Sequence, residues 1–134
     1  MTRAERAREW ARFAEDDLRS AKVLLEEGIF NEVCFHSQQC AEKILKAFLV
    51  LNGAFVPKTH RLVDILGECI KANAELENVR HDCLVLDQFY IPTRYPDALI
   101  GSKALGLPSR NDAQEALGMA ESILKKIRSI LDHA

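Results

Sequence analysis

The residues best placed to do chemistry lie together at 90–97: Tyr90, Ile91, Pro92, Thr93, Arg94, Tyr95, Pro96 and Asp97. Pro92 and Pro96 restrict the backbone on either side of Arg94, because the pyrrolidine ring locks φ. A guanidinium held that rigidly can grip two phosphate oxygens at once. A flanking tyrosine can stack on a nucleobase. The same residues admit a structural use. Arg94 pairs with Asp97 or another acid, staples the loop to the body of the protein, and leaves the tyrosines as packing anchors. Spacing alone does not choose between the two.

Other titratable groups are scattered. His60 follows Lys58 and Thr59 where a helix is expected to begin, and free N–H groups at a helix start favour an anion. Thr59 serving only as an N-cap explains the same residues. His36 shares a polar row with Gln39 and Lys43; it suits a phosphate contact, a subunit interface, or an ordinary hydrogen-bonded surface position. Arg128 and His133 sit near the chain end, and five helical residues turn about 140°, so their side chains diverge. A C-terminal histidine there complements the helix dipole. His81, Asp82 and Cys83 are too few for a metal site. Ser109 and Ser129 have no His and acid partners in a triad order. There is no P-loop and no G-x-G-x-x-G, which excludes the usual ATPase and dinucleotide folds. No catalytic residue, metal or cofactor is expected.

The elements that must position these groups are helical. The stretch 31–51 has no Pro or Gly and is bracketed by Gly28 and Gly53. At helical period it has two adjoining inner rows, Val33, Ser37, Cys40, Ile44, Ala47, Leu51 and Cys34, Gln38, Ala41, Leu45, Phe48, with small residues set among large ones for close helix approach. Opposite runs a polar row of Glu32, His36, Gln39, Lys43 and Lys46. Residues 3–27 form an amphipathic helix on Ala7, Trp10, Ala11, Ala14, Leu18, Ala21 and Leu25. Its outer charges alternate in sign, as on a solvated face. A third helix is expected after Thr59, a fourth over 76–89, and a last one from Ser109, with Ser109 as cap and Asp112 in the first turn. Pro92, Pro96, Pro108, Gly101 and Gly106 exclude a long helix over 90–108. The expected architecture is all-α, an up-and-down bundle of four or five helices forming one domain over 1–134.

Composition bounds the function. Eighteen basic and twenty acidic side chains leave a net charge of −2, so there is no basic field for bulk capture of nucleic acid. The four cysteines form no C-x-x-C pair and read as reduced core residues. Neither a secretion signal nor a membrane span is expected, which points to the cytoplasm.

The run FHSQQCAEKILKAFL at 35–49 resembles the signature helix of HEPN domains (higher eukaryote and prokaryote nucleotide-binding). VPKTHRL at 56–62 and YIPTRYPD at 90–97 resemble motifs of one branch, which includes the domain ending the chaperone-like protein sacsin. Together the three cover roughly residues 8–130. The resemblance implies a symmetric homodimer with a nucleotide- or phosphate-binding groove. By matching positions it implicates Lys43, Lys58, His60, Thr93, Arg94 and Tyr95. It also implies a small nucleotidyltransferase as a partner. Many other HEPN domains are metal-independent ribonucleases, some of them toxins of toxin–antitoxin pairs, and carry a His a few residues after an Arg. Here no His follows Arg94 until His133. The resemblance therefore favours a non-catalytic binding module over a ribonuclease. A structural adaptor without ligand is the third alternative.

Overall fold

The computed structural model describes residues 1–90 and 108–134. Helix α1 spans Arg3–Glu26, α2 Phe30–Leu51, α3 Leu62–Ala72, α4 Arg80–Asp87 and α5 Arg110–Asp132. A 3₁₀ segment, Ala74–Val79, leads into α4. No strand occurs among the described residues. Thr2 caps α1 through its hydroxyl, which accepts from the Glu5 N–H at 3.1 Å. Ser109 and Asp112 cap α5 reciprocally, at 3.1 and 2.9 Å.

Helices α1 and α2 stop in the same way. The N–H of Ile29 reaches the Leu24 carbonyl at 3.0 Å and that of Gly28 the Leu25 carbonyl at 3.1 Å. Ala54 and Gly53 repeat the pattern onto Leu49 and Val50 at 3.0 and 3.1 Å. The motif needs a left-handed residue at its turn, and Gly28 (φ 76°) and Gly53 (φ 63°) supply it.

Helix α2 is the axis of the bundle. It packs against α1, α3, α4 and α5, and each of its residues is buried or half-buried. Alanines line the facing stripes: Ala7, Ala11, Ala14 and Ala21 on α1, Ala113, Ala116 and Ala120 on α5. Their small size lets the backbones approach. Phe48, Ile44 and Leu45 then interlock with Leu62, Ile65 and Leu66 of α3, Leu86 of α4, and Ile123 and Ile127 of α5 in one core.

Two local expectations are corrected. The fourth helix begins at Arg80, because Asn73 takes the Glu75 N–H at 3.1 Å and turns the intervening residues into the tighter 3₁₀ form. Thr59 does not cap α3; its hydroxyl takes the Arg61 N–H. The α3 start is capped across space by Asp87, at the end of α4. Its carboxylate accepts from Leu62 N–H at 2.6 Å and Val63 N–H at 3.1 Å.

Candidate histidine–carboxylate site

A helix packed on most of its circumference must satisfy its buried polar residues largely within the protein, and α2 does so chiefly with two similar units, the buried Ser37 hydroxyl being left without a partner among the described residues. In the first, Glu42 is buried and its carboxylate accepts from Lys46 Nζ at 2.9 Å, one turn along. Gln39 adds a donor at 3.3 Å. His60 Nδ1 lies 3.0 and 3.2 Å from the two oxygens. A carboxylate only accepts, so His60 donates from Nδ1 and turns Nε2 away. Gln38 donates to the His60 backbone carbonyl at 2.7 Å. Lys46 also lies 5.9 Å from the Trp10 ring centroid of α1.

In the second unit Asp17, on the buried stripe of α1, reaches across to α2. Its Oδ2 accepts from Lys43 Nζ at 2.6 Å, and its Oδ1 from His36 Nδ1 at 2.9 Å. Both units therefore consist of one buried carboxylate, one lysine that neutralises it, and one histidine held by Nδ1.

Aromatic rings join the two. His60 stacks on Tyr90 with centroids 4.8 Å apart and planes 12° from parallel. Tyr90 lies 6.0 Å from Phe35, and Phe35 meets His36 edge-on at 5.4 Å. An open cavity of about 320 Å³ beside His60 is lined by Thr59, Arg61, Asp87 and Tyr90. A second, of about 520 Å³, opens beside His36 and is lined by Asp16, Arg19, Ser20, Val23 and Leu24. Burial pushes the Asp87 carboxyl above the ordinary aspartate value, against the two backbone N–H donors and the nearby Arg61, which pull it down.

The implicated residues fall as follows. His60 is in the first unit and Lys43 in the second. Lys58 is exposed on the loop before His60. Thr93, Arg94 and Tyr95 lie outside the described residues, as does the rest of the loop expected at 91–107. Arg128 bonds to Glu15 of α1 and to Asp132, while His133 donates to the Ser129 carbonyl at 2.6 Å. Among the described residues no three His, Cys, Asp or Glu converge on a metal position. All four cysteines are buried, and burial pushes the Cys40, Cys69 and Cys83 thiols up to about 12, so they are not nucleophiles at neutral pH. No helix among the described residues is long and apolar enough to cross a membrane.

Asp17, Glu42 and Asp87 were not singled out by the sequence reading. Asp17 carried a legible signal: an acid three residues from Ala14 and four from Ala21, inside an apolar stripe. Glu42 did too, at helical spacing between Gln38 and Leu45. Asp87 had none, because its partners are distant in sequence.

An all-helical bundle organised around one central helix with paired acid, lysine and histidine groups is the class that fold and site define. Residues 7–130 match the HEPN domain, and the chain belongs to that family. It is 32% identical over 127 residues to a Methanocaldococcus jannaschii protein named "Putative toxin MJ1304", covering 88% of this chain and 83% of that one. TT1696 of Thermus thermophilus superposes with a TM-score of 0.82 at 34% identity, over 92% of this chain and 97% of that one. ST0689, an archaeal HEPN homologue, gives 0.75 at 29% identity, over 98% and 99%. The HEPN domain protein tm0613 of Thermotoga maritima gives 0.74 at 31% identity, over 94% and 99%.

Proposed function

We propose that this HEPN domain is a non-catalytic binding module for nucleotide or nucleic-acid phosphate, of the branch with the YIPTRYPD-type loop. It works as a cytoplasmic homodimer, with a small nucleotidyltransferase as a candidate partner. The observation that carries the reading is His60. Its side chain is 58% exposed, yet buried Glu42 fixes its ring, Tyr90 stacks on it, and Arg61 lines the same cavity. A fixed imidazole, an aromatic face and a guanidinium are what a base with its phosphate requires. Tyr90 opens the YIPTRYPD stretch, so Thr93, Arg94 and Tyr95 are assigned to the same ligand, with Lys58 and Lys43 adding positive charge.

Calorimetric titration with ATP, GTP and a short RNA tests this. Binding is expected, weakened about tenfold or more by His60→Gln and by Arg94→Ala, as the loss of one charge-assisted contact implies. Failure of all three ligands to bind at millimolar concentration would leave the adaptor reading. Light scattering tests the dimer.

The name of the Methanocaldococcus relative supports a second reading, a metal-independent ribonuclease acting as a toxin. A histidine with a carboxylate behind it has the form of a general base. RNA cleavage in EDTA, present in the wild type and abolished by Arg94→Ala, would establish that reading over the first.

A further inference from the structure

The lysines already balance the carboxylates. Asp17 is neutralised by Lys43 and Glu42 by Lys46, so neither histidine is needed to keep a buried charge paired. What each carboxylate does for its histidine is orient it: Nδ1 is engaged, and Nε2 is directed the other way. The same device occurs at both ends of one ring row, His60, Tyr90, Phe35, His36. Three of these rings are half-buried and His60 is exposed. Each end opens on its own cavity, and among the described residues each cavity has one guanidinium, Arg61 at the first and Arg19 at the second. Among the described residues Arg19 is engaged by an exposed pair with Asp16 at 2.8 Å, which competes weakly with a phosphate. Asp16 lines the second cavity as well, and a phosphate there must displace it from Arg19.

A mononucleotide occupies one base platform and one guanidinium, and would leave the other set idle. We propose that the ligand is a dinucleotide, two bases joined through a phosphodiester, lying along the row with one base at the His60 end and the other at the His36 end. This rests on the nucleotide-binding reading above and extends it to a second half-site made by His36, Arg19 and the edge of Phe35. Asp17 is the positioning residue of that half-site, as Glu42 is of the first.

The test compares AMP with the dinucleotide pApA by calorimetry. Joining two half-sites is expected to make pApA bind at least about tenfold tighter than AMP. That advantage disappears in His36→Gln and in Arg19→Ala; the second variant changes only an exposed side chain and carries the test if the first lowers the melting temperature. Asp17→Asn reduces the advantage and releases His36, seen by NMR as loss of the single Nδ1–H tautomer and ring orientation that the carboxylate fixes. Equal affinity for AMP and pApA, or an undiminished advantage in both His36→Gln and Arg19→Ala, overturns the second half-site while leaving the His60 site standing. No binding of either probe at millimolar concentration overturns the nucleotide reading itself, and the extension with it.

Discussion

The Asp17 and Glu42 units use the same three side-chain types but different surroundings. Asp17 ties α1 to α2 between two long helices, and its lysine keeps 30% of its side chain in solvent. Glu42 ties α2 to the loop before α3, and its lysine is only 10% exposed. The histidines reverse that order: His36 is 29% exposed and His60 58%. The unit with the drier ion pair thus presents the wetter imidazole. Burying the charges deeply keeps water from competing for the carboxylate, and the histidine is then fixed even where it meets solvent. The comparison teaches that rigidity at this surface comes from the pair beneath it.

The most damaging way to probe the difference is Glu42→Ala. It leaves Lys46 in the core without a counter-charge, and a loss of about 3–5 kcal/mol is expected in denaturant titration. Asp17→Ala leaves Lys43, which can turn to water, so about 1–2 kcal/mol is expected from the broken hydrogen bonds. Equal losses in the two variants would break the comparison.

Asp87 sharpens it, since this carboxylate caps α3 beside the Glu42 unit. Asp87→Ala should cost about 1–2 kcal/mol, as the loss of a good cap does. Its pH signature is separate. The folded-state pKa is raised by burial, so between the unfolded and folded values the native state holds more protons. Its contribution then falls as pH rises through that window and levels off above the folded pKa. Asp87→Asn should flatten that part of the stability curve, measured by melting at a series of acidic pH values. The smallest effect is expected from His60→Gln, which removes a mostly exposed ring and no buried charge: about 0.5 kcal/mol or less in melting, with its larger effect on ligand affinity.

The helices were legible because their signals are local. Gly28 and Gly53 end α1 and α2, Ser109 with Asp112 starts α5, and the alanine and leucine stripes face inward as their spacing requires. What was not legible depends on pairing across the fold. Thr59 looked like a cap because it precedes α3, while the group that binds those N–H donors comes from Asp87, far along the chain. The sequence places His60 beside Lys58 and Thr59 at a helix start, where free N–H groups favour an anion. Its actual partner, Glu42, lies within the run FHSQQCAEKILKAFL, where sequence shows an acid but not what it touches. The polar row was read correctly as a row. That it is half-buried, with Lys46 fully so, follows from the number of helices packed around α2, a property of assembly rather than of period.

The sulphurs of Cys34 and Cys40 on α2, Cys69 on α3 and Cys83 on α4 are all shut inside the core. They act as a set of clocks. A thiol reagent can mark each only when its helix swings open, so the four labelling rates rank the order in which those helices let go.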